Sequence, residues 1–170
     1  MNDTTNAAAS GESSQVRRDA PFDASTIEDF AIGQIYEYGA YEVSEADIIE
    51  FATKFDPQPM HVDPVAAKDT FYGGLIAAGL HTGSIFMRNL IDAFPDIKSF
   101  GSPGWDEIRW LAPVRPGYVL STRTEIVEKR LSDSRPEMGI LSGRHTMSNQ
   151  EGEKVFGVTN WWFMARRDAD

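Results

Sequence analysis

The sequence predicts an α+β domain in which an antiparallel sheet wraps around one long central helix. Three observations predict it. One stretch, from about Leu80 to Phe94, carries apolar residues on more than one helical stripe, the pattern of a helix enclosed by other elements. From Asp106 to Arg166 the chain reads as strands separated by turns. A helix with that much apolar surface, placed ahead of antiparallel strands, is buried most simply by the sheet itself.

The 170 residues fit one domain with a tail. Residues 1–20 are rich in Asn, Thr, Ala, Ser and Gly, too polar to cover a core, so residues 1–24 are expected to form a disordered tail and 25–168 the folded domain. A short helical turn or an arm is expected within residues 25–34. Ile35 to Val43 reads as a strand whose parity slips at Gly39-Ala40, the signature of a β-bulge. Ser44 and Asp47 match a capping box, and Ile48, Phe51, Ala52 and Phe55 follow at helical spacing. That helix must stop near Asp56, because Pro57 cannot continue it. Asp63-Pro64 reads as a cap and first-turn proline opening a short helix through Lys68. The small residues Gly73, Gly74, Ala77, Ala78, Gly79 and Gly83 then lead into the central helix, where a second backbone or a ligand can approach closely.

Beyond the helix, Asp106–Leu111 is a short strand with Ile108 and Trp110 on one face. Tyr118–Lys129 alternates with Leu120 and Ile126 in phase, and residues 130–137 form a polar loop. Gly139–Asn149 and Lys154–Arg166 are strands joined by a hairpin turn at Asn149–Gly152. Trp161 and Trp162 are adjacent and must point to opposite faces. One of them lies away from the helix, which favours a homodimer or higher homo-oligomer.

Composition narrows the function classes. The net charge of −10 argues against nucleic acid, which demands a basic footprint. The imbalance sits in residues 1–80, which hold 14 acidic and 4 basic side chains, whereas residues 81–170 hold 12 of each. An anionic ligand would therefore meet cations of the second half, such as Arg88, Arg109, Arg115 or Arg130, although each is by default ordinary solvated surface. The absence of cysteine removes disulfides, thiolate metal sites and a Cys nucleophile. With no membrane-spanning run and no leader, a soluble cytoplasmic protein without membrane partners is expected.

The most informative segment is Asp56-Pro57-Gln58-Pro59-Met60-His61. Asp56 and Gln58 each precede a proline and are pushed away from the helical region, so the segment is expected to be extended and stiff. A stiff bracket with a carboxylate and an imidazole can hold one water or hydroxyl between two proton-transfer groups. The bland alternative, a capping Asp beside a surface His, is equally weighted on residue types alone.

These residues resemble the hydratase motif of the MaoC-like dehydratases, or (R)-specific enoyl-CoA hydratases, which have the hot-dog fold. The motif reads Asp-x-Asn-Pro-x-His, then an acidic residue, a short helix, a glycine-containing loop and the central helix. Asp56, Pro59, His61 and Asp63 match it, followed by Phe71–Thr82 with Gly74 and Gly79. Trp105–Trp110 with Pro113–Gly117 is similar to the family's first strand after the helix. The resemblance spans about residues 30–165. Gln58 departs from it, standing where the commonest motif has Asn, with its amide one methylene further out.

The resemblance implies reversible hydration of a 2-enoyl thioester. Asp56 and His61 would then be catalytic and Gly79 the oxyanion donor, with Gln58, Pro59, Asp63 and Gly74 supporting the motif. It implies an acyl-CoA or acyl-carrier thioester as partner. No cofactor or metal is expected, coenzyme A entering only as part of the substrate. An unperturbed imidazole titrates near pH 6.5 and Asp near 3.9, so which of the pair moves the proton first stays open. Gly79 sits where helix N–H groups are unpaired, though it also suits simple packing. His81 with His61 and Asp63 is a weak metal set lacking a further neutral ligand. Ser84 lacks a nucleophile elbow, and His145 is by default structural. Two other functions remain: a hot-dog acyl-CoA thioesterase, separable by thiol release, and a non-catalytic acyl-thioester-binding subunit, which Gln58 keeps open.

Overall fold

The structure, a computed structural model, describes residues 16–167. Its strands are β1 (Val16–Arg17), β2 (Ile35–Glu42), β3 (Ser99–Gly101), β4 (Trp105–Trp110), β5 (Val119–Leu131), β6 (Met138–Ser148) and β7 (Lys154–Ala165). Its α-helices are α1 (Glu45–Phe55), α2 (Pro59–Val62) and α3 (Gly79–Ala93). One sheet runs in the order β1-β2-β5-β6-β7-β3, with β4 also pairing β7. Every pairing is antiparallel except β1 with β2. The long helix α3 packs on the face of this sheet, so the expected α+β hot-dog architecture is the one observed. Among the described residues no helix is long and apolar enough to cross a membrane.

Local chemistry explains the elements. Ser44 accepts from the Asp47 N–H at 3.0 Å, and Asp47 returns a bond to the Ser44 N–H at 3.4 Å, the capping box that starts α1. The predicted bulge in β2 is present, with a register shift between Tyr38 and Tyr41. Gly39 adopts φ +83° there, and a Cβ on it would lie 2.5 Å from the Asn89 side chain. The bulge thus lets the middle of α3 approach the sheet. Asn89 uses that closeness to donate to the Leu120 carbonyl at 3.1 Å and the Thr122 hydroxyl at 3.3 Å. Phe86 and Leu90 meet Leu120, Ile126, Leu141, Met147 and Phe156 in the core, as the alternation of β5 to β7 requires.

The structure differs from the sequence reading in four places. Residues 16–24, expected within a tail, belong to the fold. Val16 and Arg17 pair with Ile35 and Tyr36, and Phe22 is buried edge-on against Tyr36 at 4.9 Å. One aromatic anchor in a polar stretch is invisible to a composition average. The part of the tail at 1–15, and residue 168, lie outside the described residues. Second, the bracket is extended only through Gln58, and Pro59 to Val62 forms the helical turn α2, because proline's fixed φ suits a first helical position. Third, α3 is buried on most sides, as expected, but one stripe of it stays open. Leu80 is 68% exposed and Ile91 49% exposed, on a face shared with Ser84, Arg88 and Asp92. Fourth, β5 runs on through Leu131 into the expected loop. Trp162 is buried, whereas Trp161 lies on the outer face and donates its indole N–H to Asp106 at 2.8 Å.

Candidate active site

The motif is assembled around two prolines, Pro57 and Pro59. Helix α1 ends with the Asp56 N–H on the Ala52 carbonyl, and Pro57 prevents another turn. The Gln58 N–H bonds to the Asp56 carbonyl at 2.8 Å and the His61 N–H to the Gln58 carbonyl at 2.8 Å. These bonds fold the six residues into a hook that turns Asp56 and His61 toward each other. His61 Nε2 lies 3.6 Å from Asp56 Oδ2, too far for a direct hydrogen bond. The other carboxylate oxygen, Oδ1, accepts from the Gln58 amide at 2.7 Å. The hook is tied to the chain entering α3, where the Ile76 N–H bonds to the Met60 carbonyl at 3.0 Å and the Ala77 N–H to the Val114 carbonyl at 2.8 Å.

One further contact sets the imidazole's chemistry. His61 Nδ1 is 2.8 Å from the Ile76 carbonyl oxygen. A carbonyl only accepts, so Nδ1 carries the hydrogen and the neutral ring keeps its lone pair on Nε2, facing Asp56. The His61 side chain is 7% exposed and that of Asp56 37%. The site therefore presents two acceptor atoms side by side, one sheltered and one open to solvent. A water molecule, which donates two hydrogens, complements that pair.

Three residues beyond Ile76, α3 begins at Gly79 after Ala78, and among the described residues no side chain caps it. Its first N–H groups are thus the unpaired, electropositive end of the helix. The Trp110 indole covers this tip: its N–H donates to the Gly79 carbonyl at 2.8 Å, and a Cβ on Gly79 would stand 2.8 Å from the ring. Both this indole and the Ile76 carbonyl escaped the sequence reading. A backbone acceptor has no residue-type signal, and Trp110 becomes interpretable only once the strand's register is known.

The remaining candidates have local roles. Pro59 is the first residue of α2. Asp63 accepts the Val65 and Ala66 N–H groups at 2.8 and 3.0 Å, and these bonds hold its carboxyl below the usual range. It closes the turn that leads into a single 3-10 helix, Ala66–Asp69, where a short helix was expected. Gly74 lies against the Arg115 guanidinium, which donates to the Tyr72 carbonyl at 2.7 Å and latches the glycine loop. Arg88 pairs with Asp92 at 2.8 Å and Arg130 with Glu128 at 3.6 Å. His81 stacks on Phe51 at 4.7 Å, and burial pushes its imidazole below the usual range. Ser84 donates to the Leu80 carbonyl one turn back at 2.8 Å. His145 is buried, with Nδ1 2.8 Å from the Thr124 hydroxyl.

Comparison with known proteins supplies the class. The MaoC-like domain family matches residues 11–147. The chain belongs to this family. It is 34% identical over 131 residues to the uncharacterized protein YdeM of Bacillus subtilis (strain 168), spanning 76% of this chain and 92% of that one. A MaoC-like dehydratase from Rhodospirillum rubrum superimposes with a TM-score of 0.78 at 36% identity, covering 85% of this chain and 99% of that one. The (R)-hydratase PhaJ1 of Pseudomonas aeruginosa shares the fold, with a TM-score of 0.69 at 22% identity over 84% and 86% of the two chains.

Proposed function

We propose that the protein is a hydro-lyase that adds water reversibly across the 2,3 double bond of an enoyl thioester, with Asp56 and His61 as its catalytic residues. The observation that carries this reading is the pair of acceptors, Asp56 Oδ2 and His61 Nε2, 3.6 Å apart, with Nδ1 committed to the Ile76 carbonyl. A water donating one hydrogen to each acceptor turns its lone pair outward, toward the electron-poor C3 of the substrate. As the C3–O bond forms, the pair takes the water's proton and the double-bond electrons move through C2 onto the thioester oxygen. The Gly79 N–H, at the positive end of α3, stabilises that oxygen as its charge develops. Collapse of the enolate then draws a proton from the pair to C2. The net change is one water added, and no proton is left over. Gln58 holds Oδ1 so that Oδ2 faces the imidazole, which assigns it a positioning role. The substrate is an acyl-CoA or acyl-carrier thioester, and coenzyme A needs no separate resident site.

The test is to supply 2-enoyl-CoA thioesters and follow loss of the conjugated absorbance. Turnover is expected, and Asp56→Asn or His61→Ala should each lower kcat by about 10² to 10⁴. Folded wild-type protein that turns over no enoyl thioester, or that releases free thiol at the rate of substrate loss, would remove this reading.

A further inference from the structure

We propose that Trp105 sets the acyl-chain length of this enzyme by standing between the thioester end of α3 and a preformed apolar cavity further along the same helix; this rests on the enoyl-thioester reading above. The residues Gly79, Gly83, Met87 and Ile91 are spaced by four and form one row along α3. The row starts at the tip where the thioester oxygen would sit. It ends at a cavity of about 120 Å³ between α3 and the sheet, lined by Met87, Leu90, Ile91, Ile97 and Trp162 among others. Both small residues of the row are covered by indoles: Trp110 lies on Gly79, and the six-membered ring of Trp105 lies 3.3 Å from where a Gly83 Cβ would be. Trp105 also lines the cavity itself. Its ring therefore occupies the step of the row between the reacting end and the apolar space.

The position of that ring is fixed from two sides. Phe86 meets it edge-on at 5.4 Å and Phe156 at 6.5 Å. The strand fixes it as well. Trp105 pairs with Asn160 and Trp110 with Phe156, so five steps along β4 oppose four steps along β7, the extra residue falling between Asp106 and Arg109. Glu107 takes up the irregularity with φ 53°. Without this bulge an odd separation would send the two indoles to opposite faces. With it, both point at α3.

From Gly79 to Met87 the helix rises about 12 Å. An extended chain advances roughly 1.2 Å per bond, taking backbone dimensions as the guide, so a tail of about ten bonds would span from the helix tip to the cavity. The wild-type protein thus takes short acyl groups that end at Trp105, and loss of the indole joins the two spaces.

The experiment compares kcat/KM on crotonyl-CoA and on 2-dodecenoyl-CoA for wild type, Trp105→Ala and the milder Trp105→Val, with far-ultraviolet circular dichroism as the check on folding. Wild type is expected to prefer the short substrate by at least about tenfold, the scale on which a few methylenes are discriminated. Either variant should shift the ratio toward the long one by about tenfold or more. Adding Met87→Phe to Trp105→Ala, which refills the cavity, should reverse the shift. Wild type that uses both lengths equally, or folded variants with an unchanged ratio, would overturn the proposal and leave the hydratase reading intact. If no protein turns over either thioester, the hydratase reading falls. Calorimetric titration with dodecyl-CoA thioether then decides the channel: tighter binding to Trp105→Ala than to wild type supports it, and equal binding overturns it.

Discussion

His61 shows how much of a site can rest on one backbone atom. The spacing of Asp56 and His61 was legible in the sequence, and so was the proline stiffening. What was not legible is the Ile76 carbonyl, which fixes the imidazole tautomer from fifteen residues away. Gln58 was legible only as a departure from a motif, and the structure places its amide on Asp56 Oδ1. Removing that contact frees the carboxylate to rotate. Gln58→Ala should therefore lower kcat by about tenfold or more with little change in KM, in keeping with loss of a hydrogen bond to a charged group, while Gln58→Asn should restore part of it. Steady-state kinetics on one enoyl thioester check the split; a change confined to KM would assign Gln58 to substrate binding.

Among the elements, the central helix and the long strands were the most readable, since period and turn chemistry act locally. The β2 bulge was readable from the Gly39-Ala40 parity slip. The equivalent irregularity of β4 was not, because Glu107 carries no glycine-like signal for its positive φ. Strand β6 holds the least expected feature. His145 is fully buried, and burial pushes its imidazole down to about 3. Its Nδ1 meets the Thr124 hydroxyl, which also bonds the Tyr38 hydroxyl at 2.7 Å, while Nε2 has no hydrogen-bond partner among the described residues. The folded-state value lies below that of an unfolded histidine, near 6.5. Below that pH the unfolded chain gains a proton that the native state refuses, so stability present above pH 6.5 is lost progressively as pH falls toward 3. Denaturant titrations between pH 6 and pH 5 should show this loss. His145→Gln should flatten the slope there by up to about 1.4 kcal/mol per pH unit, the value of one proton. An unchanged slope would place the titrating group elsewhere.

For the molecule as a whole, composition located the acidic first half but missed the N-terminal arm, because Phe22 anchors it through one side chain. Exposed apolar residues occur at several places, Ile32, Val65, Phe100 and Leu131 among them, and some fall on or near α3. Phe55, Phe71, Leu80, Ile91 and Trp110 are all exposed, several of them along the open face of α3 or beside its tip. Apolar surface of this kind is normally covered by another chain. Light scattering coupled to size exclusion should return a dimer or larger assembly, and a monomer mass across micromolar concentrations would mean that this face stays in water. The bulge in β4 has a last consequence. Which way the two indoles look depends on how many residues separate them, not on what those residues are. Substitutions at 106 to 109 should leave the aromatic roof over the helix in place, and deleting the one extra residue should leave it too, because four regular steps keep both rings on one side; inserting a residue there would swing half of it outward and unseat the strand's own end.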